Sequence, residues 1–167
     1  MGNTKEGKKQ SALKRKYNME IKKLKDVPQY TETVIDWITA EFGDENSGKF
    51  FQSIIEHSKN EEELPLTFVA IEDGTLVGTA GIWRADLLSR QDLFPWFSAL
   101  VVHPEYRNQG IGKQMQAHLI AYCKEKGMKE LYLYAEFQGY YEKMGWQPFG
   151  DGYEFTGNKV HIYRQEL

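Results

Sequence analysis

The stretch Val101-Val102-His103-Pro104-Glu105-Tyr106-Arg107-Asn108-Gln109-Gly110-Ile111-Gly112 constrains the fold more than any other part of this chain. Ala99-Leu100-Val101-Val102 is continuously apolar, the pattern of a strand buried on both faces. Pro104 breaks that strand, and a glycine-containing turn opens directly into a helical repeat. Ile111, Met115, Leu119 and Tyr122/Cys123 share one face of the repeat, and Gly127 stops it. The first amides of such a helix have no intrahelical partners, and with the helix dipole they make a ready anion site. Gly110 and Gly112 carry no side chain to keep a phosphate from the backbone, and Arg107 and Lys113 can add charge. An isolated Gly-x-Gly is better explained by chain conformation alone. The turn is not a Walker loop, because no Gly-Lys-Ser/Thr follows. Nor is it a dinucleotide fingerprint, since Gln116 stands where the third glycine would be.

The flanking sequence alternates strand-like and helix-like segments. Met19 to Leu24 reads as an edge strand. Tyr30, Val34, Trp37, Ile38 and Phe42 recur at helical spacing up to Gly43, and Phe50, Phe51, Ile54 and Ile55 predict a second helix. Leu66–Glu72 and Thr75–Arg84 flank Asp73-Gly74, a strong hairpin signal. Phe94–Val102 and Lys129–Ala135 are predicted strands. Gln138–Met144 is predicted as a short helix stopped by Gly145, with Trp146–Glu154 and Lys159–Gln165 as a closing antiparallel pair. The expected fold class is a single α/β domain over 19–167, a mixed sheet with helices on both faces, which 167 residues suit.

Charge divides the chain. Residues 1–25 carry nine Lys/Arg against two acids, whereas 26–167 carry twelve against twenty-two. Residues 1–18 are expected to be a basic mobile tail or to precede an alternative start near Met19. The acidic body suits an amine partner and disfavours nucleic acid. No apolar run approaches the roughly 20 residues of a membrane span. A lone cysteine, Cys123, fits a reducing, cytoplasmic setting.

Val102-x-Pro104-x-x-Arg107-x-x-Gly110-x-Gly112 resembles the signature of the GNAT superfamily, [QR]-x-x-G-x-[GA] preceded by a Val-x-Pro strand end. Gly139-Tyr140-Tyr141-Glu142-Lys143-Met144-Gly145-Trp146 resembles its second landmark, at the separation expected. The resemblance spans 19–167. It implies a twisted, mostly antiparallel sheet whose two parallel strands, here Phe94–Val102 and Glu130–Ala135, splay apart to admit acetyl-CoA. It further implies that Leu100, Val101 and Val102 line the pantetheine, and that Arg107, Asn108, Gln109, Gly110, Ile111, Gly112 and Lys113 receive the pyrophosphate. A main-chain N–H near Leu100–Val101 would polarise the thioester carbonyl. Tyr141 corresponds to the family tyrosine near the sulfur, the expected general acid, with Tyr140 as the other choice. The implied reaction is transfer of acetyl from acetyl-CoA to a primary amine of a small molecule or peptide. A catalytically silent acyl-CoA sensor is the alternative, and a homodimer is common in the superfamily.

The chain departs from the family where a glutamate base often stands: that stretch reads Phe94-Pro95-Trp96-Phe97-Ser98. Ala135-Glu136 also replaces a frequent asparagine. The base is therefore open among Glu136, Asp92 and water. The loop from Trp83 to Phe97 combines Trp83, Trp96, Asp86 and Asp92: its aromatic residues can be plain core, or the loop can form an acidic, partly aromatic pocket that recognises the acceptor cation. The four histidines show no metal-ligand spacing, so no metal is expected, and Cys123 reads as core.

Overall fold

A computed structural model describes residues 18–167. Apart from Asn18, the segment expected to be a basic tail lies outside the described residues. Seven strands form one sheet: β1 (Met19–Lys23), β2 (Leu66–Glu72), β3 (Thr75–Trp83), β4 (Trp96–Val102), β5 (Glu130–Ala135), β6 (Gln147–Tyr153) and β7 (Lys159–Glu166). Their order across the sheet is β1-β2-β3-β4-β5-β7-β6. All neighbours are antiparallel except β4 and β5. The helices are α1 (Thr31–Phe42), α2 (Gly48–Glu56) and α3 (Ile111–Glu125).

The hairpin joining β2 to β3 turns through Asp73 (φ 49°) and Gly74 (φ 77°), the two left-handed residues that a type I′ turn requires. Helix α1 buries Val34 and Ile38, one turn apart, and α2 buries Phe51 and Ile55 at the same spacing. Both cover one face of the sheet over Val69, Ile71, Leu76, Trp83 and Val101. Helix α3 covers the opposite face, with Ile111, Met115, Leu119 and Cys123 packed on Phe68, Val77, Ala80, Phe97 and Leu133. A third cluster, beside α1 and α2, seats the 84–95 loop: Leu87 and Leu93 pack on Trp96, Tyr132, Val160 and Ile162.

One predicted element is corrected. Gln138–Met144 is not a helix: only Glu142–Met144 forms a 3-10 turn. Gly139 is left-handed (φ 95°), and its N–H is bound at 2.8 Å by Oε2 of Glu142, so the chain bends where a helix would continue.

Candidate active site

Two distortions of β4 create an opening in the sheet. The first is a β-bulge. Gly81 pairs with Ser98 and Thr79 with Val101, so Ala80 alone faces both Ala99 and Leu100. Ala99 takes up the extra residue at φ 53°, a conformation costing an L-residue about 1–2 kcal/mol. The second is divergence from β5. The parallel register between the strands is confined to Trp96↔Tyr132, with the Tyr132 N–H donating to the Pro95 carbonyl at 3.0 Å. Beyond that point the β4 edge facing β5 is an unpaired backbone edge inside the fold.

At the far end of β4 the chain makes a 3-10 turn, Pro104–Tyr106, and enters α3 through Gly110. Gly110 is left-handed (φ 82°), and no side chain caps the helix, leaving its first amides free. Gly112 is different: it lies within the helix, and a Cβ there would meet Leu100 Cδ2 at 3.6 Å and Val102 Cγ2 at 3.8 Å, ordinary contacts. The protein has room for alanine at a position where glycine costs up to about 1 kcal/mol. The bare backbone fits a group brought in from outside. Asn108 also adopts a left-handed conformation (φ 59°), and the exposed Lys113 lies in the first turn of α3. Arg107 is less free than its sequence position implies: Nε donates to the Val102 carbonyl at 3.0 Å, and Nη2 lies 3.8 Å from Glu41 at the end of α1. It braces the turn as well as adding charge.

Tyr141 lies on the α3 side of the sheet, half-buried among aromatic rings. Its ring stacks on Phe137 at 6.1 Å and meets Tyr163 at 5.8 Å and Trp146 at 6.4 Å. Burial first, and the neighbouring Tyr140 second, push its phenol up to about 12. Tyr140 is more exposed, at 45%. Glu142 fixes this corner, accepting from Tyr163 Oη at 2.8 Å through one oxygen and from Gly139 N–H through the other. The two sequence landmarks are joined by Gln116, buried on α3. Its Oε1 accepts from Trp146 Nε1 at 3.0 Å and its Nε2 lies 3.1 Å from Met144 Sδ. Gln116 and Tyr163 had no sequence signal beyond their types, because each matters through a contact made across the fold.

The four residues expected to recognise the acceptor are not brought into one pocket. Trp83 is buried with the α1–α2 cluster, its Nε1 3.4 Å from Thr67 Oγ1. Trp96 is wholly buried, donating to the Leu93 carbonyl at 2.8 Å. Asp92 is exposed and held bidentately by Arg90, both bonds 2.8 Å, which lowers its carboxyl. Asp86 lies on the 84–95 loop one residue before the buried Leu87, and burial above all raises its carboxyl to about 6. Glu136 is exposed just past the end of β5.

Residues 31–146 match the profile of the Acetyltransferase (GNAT) family. The chain belongs to that family. A Bacillus subtilis (strain 168) protein, named as a candidate ribosomal protein bS18-alanine N-acetyltransferase, is 34% identical over 89 residues, 50% of this chain and 55% of that protein. The chain thus spans about half the length of the curated relative it matches. A candidate GNAT acetyltransferase from Desulfovibrio desulfuricans superposes with a TM-score of 0.70 at 16% identity, over 89% of this chain and 98% of its own. A GNAT acetyltransferase from Elizabethkingia anophelis, solved with acetyl-CoA bound, gives 0.66 at 15% identity, over 90% and 99%. At these identities the superpositions establish the GNAT fold for this chain. Among the described residues of this GNAT protein, no helix is long and apolar enough to cross a membrane, and no group of three His, Cys, Asp or Glu could hold a metal ion.

Cys123 is wholly buried, and burial pushes its thiol up to about 12. Iodoacetamide at pH 8 should leave the folded protein unmodified and alkylate it fully in denaturant, as mass spectrometry would show.

Proposed function

We propose that this protein is an N-acetyltransferase that carries acetyl from acetyl-CoA directly to a primary amine of a small molecule or peptide. The observation that carries this reading is the coincidence of three features: the open β4–β5 edge, the uncapped α3 amides, and a glycine at 112 that packing does not require. Leu100, Val101 and Val102 supply the strand edge to the pantetheine, and the Asn108–Lys113 backbone faces the pyrophosphate. The thioester supplies an electrophilic carbonyl and a thiolate leaving group. Main-chain N–H groups near the Ala99 bulge are aimed where negative charge develops on the carbonyl oxygen. Tyr141 donates a hydrogen bond toward the departing sulfur. With its phenol near 12 against about 8.5 for a thiol, complete transfer to thiolate is uphill by roughly 3.5 units. Its contribution is a hydrogen bond that strengthens as charge builds. The acidic body and the alanine named in the relative both favour an α-amine at a peptide terminus as the acceptor.

Calorimetric titration with acetyl-CoA, followed by thiol release against alanine-initiated peptides, polyamines and aminoglycosides, tests the reading. Saturable binding with turnover on one class supports it, and absence of acetyl-CoA binding overturns it. Gly112→Ala separates ligand from packing. It should leave thermal stability equal or higher, by up to about 1 kcal/mol, while weakening acetyl-CoA by about tenfold or 1.4 kcal/mol. A variant that binds normally would show that the missing side chain serves no ligand.

A further inference from the structure

We propose that Glu142 and Tyr163 are positioning residues for the reaction: their hydrogen bond staples the loop after β5 to strand β7 and so holds the Tyr141 hydroxyl at the departing sulfur. The inference rests on the acetyltransferase reading above and gives a role to two residues that act through Tyr141.

The need for a staple comes from the chain that leads into Tyr141. Strand β5 ends at Ala135, and residues 136–140 are neither helix nor strand. Among the described residues, the backbone of 136–140 makes no hydrogen bond to other backbone groups. Side chains tie it instead. Gln138 Nε2 lies 3.1 Å from His161 Nδ1, and the Gly139 N–H donates to Glu142 Oε2 at 2.8 Å. The rings that this stretch places around Tyr141, Phe137 and Tyr140, are both exposed. They move with the loop and do not fix Tyr141 against the sheet.

Two anchors do reach rigid elements. The first lies behind Tyr141: the backbone N–H of buried Trp146 donates to the Tyr141 carbonyl at 3.1 Å, and its indole is held by Gln116 of α3. The second is Glu142. Its Oε1 accepts from Tyr163 Oη at 2.8 Å while Oε2 holds Gly139, so one carboxylate joins residues 139, 142 and 163. Tyr163 is buried on β7, in register with Leu133 of β5 and Pro148 of β6. It reaches Tyr141 twice, ring to ring at 5.8 Å and through the carboxylate of the next residue. Strand β5 is also the strand that parts from β4. The staple therefore sets the Tyr141 hydroxyl relative to one wall of the gap.

Charge keeps the staple closed. The Glu142 carboxyl is held below its usual range by its own N–H first, then by the Tyr163 and Gly139 donors and by His161, against the opposing effect of burial. Tyr163 is pushed up to about 12, by burial first and then by its hydrogen bond to Glu142, so its hydroxyl stays a donor. Neither group gains or loses a proton in the reaction. Their part is geometric: displacement of a reacting group by about 1 Å costs on the order of 10²-fold in rate. A hydrogen bond to a developing thiolate is worth most when its donor is already in place.

The test uses the full chain, acetyl-CoA, and whichever alanine-initiated peptide, polyamine or aminoglycoside wild type acetylates fastest. Thiol release gives the rate and calorimetry the acetyl-CoA affinity. Tyr163→Phe keeps the buried ring and removes the donor. It should lower kcat by about tenfold or more, with acetyl-CoA affinity and amine KM within about twofold of wild type. Glu142→Ala should do the same, and it carries the test if Tyr163→Phe does not fold. Glu142→Gln should recover at least part of the rate lost in Glu142→Ala. An amide accepts from Gly139 through Oε1 and donates to Tyr163 Oη through Nε2, so the staple closes without the charge. In a Tyr141→Phe background no hydroxyl remains to be placed, and adding Tyr163→Phe or Glu142→Ala should cost less than about twofold more. Losses that multiply in the double variants overturn the proposal, because the staple then acts on something other than Tyr141. So does a loss confined to KM, a Glu142→Gln variant as slow as Glu142→Ala, or a wild-type kcat in the folded single variants. Wild type that binds no acetyl-CoA, or acetylates none of these amines, overturns the acetyltransferase reading and this proposal with it.

Discussion

Tyr141→Phe is expected to lower kcat by about 10²–10⁴-fold while leaving the folded protein almost unchanged. The two expectations have different origins. The ring itself is structural: it packs against Phe137, Trp146 and Tyr163, and phenylalanine keeps each of those contacts. In the proposed mechanism the hydroxyl is the part that chemistry uses, and with the phenol near 12 it remains a donor throughout the range where the enzyme can be assayed. The pH–rate profile of wild type should therefore show no alkaline limb from Tyr141 below about pH 10. Thiol-release kinetics on wild type and variant, with melting curves on both, decide the point. A variant retaining more than about a third of the rate would remove Tyr141 from the reaction. A variant that lost rate and stability together would make the residue a packing element.

Trp146→Ala should have the largest effect on stability. The indole is 2% exposed and packs on Phe97 and Tyr141. Removing a buried tryptophan costs about 3–5 kcal/mol, and leaving Gln116 Oε1 without its 3.0 Å donor adds about 1–3 kcal/mol. A total near 4–8 kcal/mol is comparable with the whole stability of an ordinary domain, about 5–15 kcal/mol. The expected result is a melting temperature lower by about 8–30 °C, at about 2–4 °C per kcal/mol, or failure to fold. Trp146→Phe, which loses the N–H and part of the ring, should fall in between. Denaturant titrations of the three proteins would show it; a loss under about 2 kcal/mol for the alanine variant would mean that Gln116 and Trp146 do not clamp the two landmarks together.

The elements that local chemistry dictates were legible in the sequence. Asp73-Gly74 turned as its residue types demand, and Val34/Ile38 and Phe51/Ile55 face the sheet at their helical spacing. The glycine turn before α3 was readable because Gly110 needs a backbone that other residues resist. What escaped had no local signature. Nothing in Ala99-Leu100-Val101-Val102 announces that an alanine will hold a left-handed conformation, since the bulge is set by pairing with β3. The loop of tryptophans and aspartates looked like one pocket, yet Trp83 and Trp96, cross-strand partners on one face, are buried in two different clusters, and Arg90 claimed Asp92.

The strand order carries a consequence for how the protein is made. β7, the last strand in sequence, lies between β5 and β6 rather than at an edge. During synthesis β6 has no neighbour in the sheet until Lys159–Glu166 arrives, and Glu142 and Tyr141 wait for Tyr163. A nascent chain can assemble β1 to β4 with α1 and α2 early, since all of them precede β5 in the chain, whereas β5 gains its β7 partner only later. Maturation of the tyrosine corner is thereby tied to the arrival of Lys159–Glu166, and a ribosome stalled before Lys159 would hold a chain in which that corner is incomplete.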